Sequence, residues 1–176
     1  MLSGLPAVST PEARVLILGT MPSAESLRRQ EYYANPRNQF WRILCAVLGT
    51  IDPAHYAGRI EILRRHRIAL WDVLEACQRA GSLDSSIVRG SEHPTDIRGF
   101  LRSHPQVQTL ALNGTKAASL FRRLTLPGLG PEAGRLRLLD LPSTSPANTT
   151  RIETKITRWR LVTSHRLTGA DSSGKS

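Results

Sequence analysis

Short apolar runs alternate with polar segments along the chain, and their spacing predicts the fold. The runs lie at 14–19, 68–74, 107–112 and 136–141. The first is β-branched and apolar throughout, which is typical of a strand covered on both faces. Between the runs, apolar residues recur at helical spacing, as in 38–48, and Gly49 ends that pattern. We therefore predict an α/β fold, a three-layer α/β/α sandwich around a central four-stranded, mainly parallel sheet.

The remaining segments are predicted as helices, loops and a tail. Further helices are expected at 52–66, from Thr95 or Asp96 to about Ser103, at 115–124 and at 150–162, with a short helical turn at 23–29. Loops are expected at 20–37 and 127–131, and 1–12 is interpreted as a loose lead-in. The length of 176 residues indicates one domain, which we place at 1–166, and the Gly- and Ser-rich segment 167–176 is expected to be disordered.

Polar clusters follow the predicted strands at the points where those strands end. They are the segments 19–38, 113–115 and 142–148. The carboxyl ends of parallel strands lie at one edge of a sheet, and ligands of open α/β folds bind outside that edge. The pattern therefore predicts one cleft that gathers all three clusters.

The charge of the chain favours a polyanionic partner. Lys and Arg number 24 against 14 acidic residues, which gives a formal net charge of +10. Basic side chains that neutralise phosphates release condensed counterions, so an excess of this size is typical of nucleic-acid binding. Arginine accumulation in a GC-rich genome is the alternative explanation.

Several classes of function find no support in the sequence. No run approaches the ~18 apolar residues of a membrane-spanning helix, and the first residues lack the charged and apolar regions of an export signal. Cys45 and Cys77 stand apart, without the paired spacing of a metal site, and fit a reduced compartment. Glycine-rich phosphate loops are absent as well. We expect a cytoplasmic monomer that uses no cofactor, metal or membrane.

Motifs in three segments carry a family resemblance. They read GTMPS at 19–23, YYANPRNQFW at 32–41 and LPSTSPAN at 141–148. In this order and spacing they resemble the uracil-DNA glycosylase superfamily, and the second motif is most similar to its hypoxanthine (deoxyinosine) DNA glycosylase branch. The resemblance spans roughly 14–162. It implies the fold of that superfamily and the excision of a deaminated base from DNA.

The catalytic residue that the resemblance implies is Asn38. Other branches carry an Asp or Asn before the proline of the first motif, but Met21 stands there and can neither orient nor deprotonate water. A neutral amide is sufficient to hold the water, because a glycosidic bond that breaks with oxocarbenium character does not need a strong nucleophile. Capping of the following helix is the alternative role of Asn38, and the two roles are compatible. Glu25 is the alternative candidate for activating water.

The resemblance also implies a set of base-binding residues, which are Thr20, Met21, Pro22, Ser23, Tyr33, Phe40 and Asn113. Phe40 is expected to stack on the extruded base, and packing in the helix core is its alternative. Backbone N–H groups of the first motif are expected to donate to the base. Asn113 is expected to read a base edge, with a plain Asn-Gly turn as the alternative. Asp72 and Asp84 are interpreted as supports of a strand end and a loop.

A second set is expected to bind DNA, namely Ser143, Thr144, Ser145, Pro146, Ala147, Asn148, Lys116 and Arg151. Small hydroxyl groups suit phosphate contacts, which hold the register without reading sequence. A plain turn before a helix is the alternative for the loop residues, and a solvated helix face is the alternative for the two basic residues. Some relatives carry a His before the Pro-Ser pair, but Leu141 stands there.

These observations predict a monofunctional DNA glycosylase of base excision repair. It would flip a deaminated base, hypoxanthine by resemblance, and hydrolyse the glycosidic bond with water. No lysine lies in the motifs to form a Schiff base, so strand cleavage is not expected. Two other functions stay open at this point: a glycosylase for uracil or mismatched pyrimidines, and a DNA- or nucleotide-binding module without catalysis.

Overall fold

The protein is described by a computed structural model over residues 1–167, so the predicted tail lies outside the described residues except for Leu167. Its strands are β1 (Leu2–Ser3), β2 (Val15–Gly19), β3 (Ile68–Asp72), β4 (Leu74–Cys77), β5 (His93–Pro94), β6 (Thr109–Asn113) and β7 (Arg137–Leu141). Its α-helices are α1 (Ala24–Arg29), α2 (Phe40–Leu48), α3 (Tyr56–Arg65), α4 (Ile97–Ser103), α5 (Thr115–Leu120) and α6 (Ile152–Trp159). Every helix that the apolar spacing predicts is present.

The main sheet has the strand order β3-β2-β6-β7, and each neighbouring pair in it is parallel. In this register Gly19 lies beside Asp72, and Asn113 lies beside Leu141. The carboxyl ends of these strands consequently share one edge. The predicted four-stranded parallel sheet is confirmed.

Successive residues of β2 pack into different layers, as the two-residue period of a strand requires. Leu16 and Leu18 belong to a buried apolar cluster that includes residues of α4 and α5. Val15 and Ile17 belong to a second cluster, which includes residues of α2, α3 and α6. Helices therefore cover each face of the sheet, and the predicted three-layer α/β/α sandwich is confirmed.

A second, antiparallel sheet of order β1-β4-β5 was not predicted. The apolar run 68–74 does not continue as one strand, because the Leu74 N–H donates to the Thr20 carbonyl and the chain then turns into the small sheet. The segment 1–12 supplies β1 to this sheet, and Leu5 is buried in the core. Its interpretation as a loose lead-in is therefore wrong.

Helix α5 ends earlier than its apolar pattern predicts. A π-helical turn, Phe121–Thr125, follows it, and 3-10 turns at Leu126–Gly128 and Gly130–Arg135 occupy the connection that was expected as a loop at 127–131. Leu129 is fully buried at this point. The connection is therefore anchored to the core by Leu129, while its other residues are exposed.

Within residues 1–167, no helix is long and apolar enough to cross a membrane. The same range holds no group of His, Cys, Asp or Glu that is arranged to bind a metal ion. Cys45 and Cys77 are buried free thiols. Burial raises the pKa of both thiols, which keeps them in the unreactive protonated form.

Candidate active site

A cleft of about 640 Å³ opens at the carboxyl edge of the main sheet. Its walls come from 19–23, 82–85, 113–116 and 143–148, together with single residues that include Asn38 and Asp72. The loops after the parallel strands thus converge on one site, as the polar clusters predict. The volume lies within the ~300–1,000 Å³ range of small-molecule sites, which is large enough for an extruded base.

Asn38 reaches the cleft from the turn just before α2. Its Oδ1 atom accepts a hydrogen bond from the Phe40 N–H at 2.9 Å. Because a main-chain N–H can only donate, the side-chain atom that faces it must be the carbonyl oxygen. That oxygen keeps a second lone pair for a water molecule. Capping of the helix start and the holding of water are therefore compatible in this geometry.

Phe40 does not line the cleft. Its side chain is fully buried in the core, and the ring of Tyr33 covers it with the centroids 3.8 Å apart and the planes at 11°. Tyr33 is the aromatic residue of this pair that lines the cleft. Direct stacking of Phe40 on a base does not fit this arrangement, because Tyr33 already occupies one face of its ring. The helix-core alternative describes Phe40 correctly.

The first motif walls the cleft largely through its backbone. Thr20 and Met21 are buried, and Arg79 donates hydrogen bonds to the carbonyls of Met21 and Pro22. The Ser23 hydroxyl caps α1 by accepting from a backbone N–H at 3.1 Å. The N–H groups of Met21 and Ser23 make no hydrogen bond to a described residue. Both N–H groups are therefore available to donate, and their predicted donation to a base stays a prediction.

Asn113 lies in the cleft wall, but its amide is used inside the protein. The Nδ2 atom donates to Tyr33 Oη and Thr144 Oγ1, each at 3.0 Å, and the Oδ1 atom accepts from the Thr144 N–H at 3.0 Å. Both N–H donors are therefore occupied. The geometry makes Asn113 a positioning residue, which disagrees with its predicted role in reading a base. Thr144 is itself fully buried, so its predicted phosphate contact also disagrees with the structure.

The loop after β7 presents small residues along the cleft. The hydroxyls of Ser143 and Ser145 each accept from a backbone N–H two residues ahead, at 3.1 and 3.2 Å, and Asn148 Oδ1 does the same at 2.9 Å. Pro146 and Ala147 are exposed. These turns fix the loop in a conformation whose exposed side is suited to the predicted DNA contacts.

A buried lysine fastens this loop to the segment of Asn38. Lys155 on α6 is fully buried, and its Nζ atom donates to Gln39 Oε1 and to the Asn148 carbonyl, each at 2.9 Å. The Gln39 N–H also donates to the Thr144 carbonyl at 3.0 Å. Burial lowers the pKa of Lys155. The turn that carries Asn38 and the loop after β7 therefore form one connected unit.

Two acidic residues of the cleft were interpreted from the sequence only as supports. Asp72 ends β3 and is 4% exposed, and its Oδ2 atom has no hydrogen-bond partner in the described part of the chain. Burial and the neighbouring Asp84 raise the pKa of Asp72 to about 8. Gly19 makes room for this carboxyl group, because a Cβ atom there would overlap Asp72 Oδ1. The sequence signal for Asp72 is that it is the one charged residue within the predicted strand run 68–74.

The predicted basic residues divide between the cleft and the outer surface. Lys116 lines the cleft at the start of α5. Arg37, which was not predicted as a site residue, lines it beside Asn38. Arg151 lies outside the cleft lining, with its side chain 87% exposed and 3.8 Å from Glu153. The structure therefore brings Lys116 to the site, but not Arg151.

Comparisons with known proteins agree with the fold. The sequence pattern of the uracil DNA glycosylase superfamily matches residues 6–163. A Methanosarcina acetivorans protein named hypoxanthine DNA glycosylase is 37% identical over 163 residues, which cover 92% of this chain and 98% of the relative. A Methanosarcina barkeri protein of the same name is 34% identical over 115 residues, or 65% of this chain and 72% of the relative.

The structural comparison leads to the same group of proteins. The solution NMR structure of a Methanosarcina acetivorans protein, provisionally described as a uracil DNA glycosylase, superposes with a TM-score of 0.74. Its sequence identity is 34%, and the match covers 92% of this chain and 98% of that protein. The motifs, the parallel sheet and these matches together show that the chain belongs to the uracil-DNA glycosylase superfamily.

Proposed function

We propose that this protein is a monofunctional DNA glycosylase that excises hypoxanthine, and that it acts as a cytoplasmic monomer. The observation that carries the proposal is the neutral amide of Asn38 in a cleft whose first motif holds Met21 in place of an Asp or Asn. The two similar proteins from Methanosarcina that are named hypoxanthine DNA glycosylases support the choice of base.

Access to the glycosidic bond requires the base to leave the duplex. Flipping costs a few kcal/mol and is easiest for a base that pairs badly. The Tyr33 ring offers the extruded base a wall on which to stack, and Phe40 supports that ring from behind at 3.8 Å. Asn113 holds the Tyr33 hydroxyl at 3.0 Å. The wall is therefore positioned before DNA binds.

Hydrolysis then requires a water molecule that is held against the sugar. Asn38 Oδ1 already accepts from the Phe40 N–H and has a lone pair left to accept from the water. That second hydrogen bond orients a water lone pair toward the anomeric carbon. An amide does not act as a general base at neutral pH, so the water keeps both protons until its oxygen has bonded to the oxocarbenium carbon. It then releases one proton to solvent or to the departed base.

Contacts to phosphates would hold the DNA strand in register. Ser143 and Ser145 carry hydroxyl groups along the cleft, and Lys116 adds a positive charge to it. Such contacts act on any sequence, which suits an enzyme that must find a lesion anywhere. The net charge of +10 favours the encounter with DNA through counterion release.

The product expected of this chemistry is an unbroken strand with an abasic site. Strand cleavage by a glycosylase needs an amine that attacks the sugar carbon. Lys116, although outside the motifs, places an amine in the cleft. The Lys116→Gln variant therefore belongs in the test of the monofunctional assignment.

The proposal is tested with duplexes that carry one deoxyinosine, deoxyuridine or deoxyxanthosine. We expect the deoxyinosine strand to break only after alkali, and a duplex with deoxyadenosine at the same position to stay intact as the matched control. Faster excision from the deoxyuridine duplex would show that the preferred substrate is a pyrimidine lesion and not hypoxanthine. DNA binding without cleavage of any lesion would overturn the enzyme assignment. Breakage before alkali, absent in Lys116→Gln, would overturn the monofunctional assignment.

The monomeric state is tested by measuring the molar mass with light scattering as the protein elutes from a size-exclusion column. A mass near 19.4 kDa is expected from the chain, and a stable mass near twice that value would contradict the proposal.

A further inference from the structure

The carboxyl group of Asp72 is a buried group of the cleft that the proposed chemistry does not use. It lies at the carboxyl end of β3, beside Gly19 of β2. Its Oδ2 atom is buried and has no hydrogen-bond partner among residues 1–167. Buried polar atoms are normally paired, so an unpaired one in a cleft wall calls for a partner that arrives with the ligand.

The charged and titratable groups around Asp72 do not neutralise it. Asp84, from the loop that follows β4, adds a second acidic group, and Arg79 opposes it only weakly. The Arg79 guanidinium is engaged by backbone carbonyls of the first motif and lies 3.9 Å from Asp84. Tyr32 and Tyr33 face Asp72 from the loop before α2 as neutral phenols, because burial raises the pKa of both hydroxyls.

These surroundings favour the uncharged form of the carboxyl group. Burial and the charge of Asp84 raise the pKa of Asp72 to about 8. At neutral pH the group is therefore mainly protonated and has an O–H donor as well as an acceptor. A protein can keep a carboxylic acid neutral in this way in order to donate a hydrogen bond in an active site.

We propose that Asp72 contacts the extruded base directly and, as an uncharged carboxylic acid, donates a hydrogen bond to O6 or N7 of hypoxanthine. The inference rests on the proposed function. The leaving base gains negative charge as the glycosidic bond breaks, and a donor aimed at that charge lowers the barrier. An ionised carboxylate at the same place would repel the leaving base.

This contact would supply what the third motif lacks. Leu141 stands where some relatives carry a His, and an alkyl side chain cannot stabilise a departing anion. Asn113 has no N–H left to do so. Asp72 is a side chain of the cleft with a buried, unpaired oxygen, and in its protonated form it offers the missing donor.

The test compares the wild type with Asp72→Asn and Asp72→Ala in single-turnover excision from a deoxyinosine duplex. An amide keeps a donor and the shape of the side chain, so we expect Asp72→Asn to stay within about tenfold of the wild type at pH 7. Loss of the donor in Asp72→Ala is expected to lower the rate by about 10²–10³-fold. Asp140→Asn, an exposed residue paired with Arg122, is the matched control.

The pH profile separates a protonated donor from a merely structural group. The carboxyl group carries its proton below its pKa and loses it as the pH rises, so the wild-type rate should fall above about pH 8. The amide of Asp72→Asn does not titrate, and its rate should stay level over the same range. The affinity for DNA is measured at each pH, so that a fall in the excision rate caused by weaker binding can be recognised.

Three results would overturn the inference. They are an Asp72→Ala rate equal to that of the wild type, an Asp72→Asn rate as low as that of a folded Asp72→Ala, and a fall above pH 8 that persists in Asp72→Asn. If Asp72→Ala does not fold, the pH comparison with Asp72→Asn decides alone. An inactive wild type would instead refute the proposed function, so the two failures are distinguishable.

Discussion

Lys155→Met tests whether the buried lysine positions the catalytic turn. The ammonium group donates to Gln39 Oε1 and to the Asn148 carbonyl, each at 2.9 Å. Methionine has a similar length and volume but offers no donor, so two half-buried acceptors would lose their partner. Hydrogen bonds from a charged group contribute about 1.5–3 kcal/mol each.

The net change is smaller than the sum of the two bonds, because the variant no longer buries a charge. We therefore expect the free energy of unfolding to fall by about 2–4 kcal/mol. For a chain of this size, 1 kcal/mol shifts Tm by ~2–4 °C, so Tm should drop by ~4–16 °C. Excision should slow by about 10–100-fold even where the variant is folded, because a small displacement of Asn38 spoils the alignment of water.

The measurements are thermal unfolding and single-turnover excision from a deoxyinosine duplex, both well below the Tm of the variant. Arg158→Met is the matched control, since it removes a cation from an exposed position of the same helix. We expect little change in either measurement for this control. If Lys155→Met keeps the wild-type Tm and rate, the lysine does not position the site.

Three further predictions concern the cleft and its partner. Gly19→Ala should slow excision and lower Tm, because the new Cβ overlaps Asp72 Oδ1. The control Gly128→Ala should change neither quantity, because its Cβ meets no atom within 4 Å. Equal effects of the two variants would argue against a close approach at Gly19. The free energy of unfolding of the wild type, relative to that of Asp72→Asn, should fall as the pH rises from about 4 to about 8. The folded state holds the Asp72 proton with a pKa of about 8, whereas the unfolded state releases that proton near pH ~4. A difference in chemical denaturation that does not depend on pH would contradict the raised pKa. DNA affinity should fall steeply between 50 and 200 mM salt, as titrations followed by fluorescence anisotropy would show, and a flat response would contradict the electrostatic contribution.

The main sheet and the position of the cleft were predictable because both depend on local patterns. Apolar runs mark the strands, and the polar residues that follow them must meet at one edge of a parallel sheet. The small sheet was not predictable, because β1 and β5 are two residues long and show no period. Asp72 could have been included in the site, since it is the one charged residue in the predicted strand run 68–74.

The roles of individual side chains depend on partners far away in the sequence. The sequence around Thr144 predicts an exposed hydroxyl in a loop, but Thr144 is hydrogen-bonded through its hydroxyl and its N–H to Asn113, 31 positions earlier. The sequence around Lys155 is typical of a solvated helix face, but its ammonium group is buried and donates a hydrogen bond to Gln39, 116 positions earlier. Such contacts come from packing of the whole domain, which no local pattern encodes.

The measurement that tests the central claim most directly is the release of free hypoxanthine from a deoxyinosine duplex by Asn38→Ala under single-turnover conditions. Gln108→Ala is the control, because it removes an exposed side-chain amide just before β6, at the end of that strand opposite to the cleft. We predict that Asn38→Ala loses at least ~10²-fold in rate while its affinity for DNA stays close to that of the wild type. Release at the wild-type rate would contradict the claim that this amide holds the attacking water.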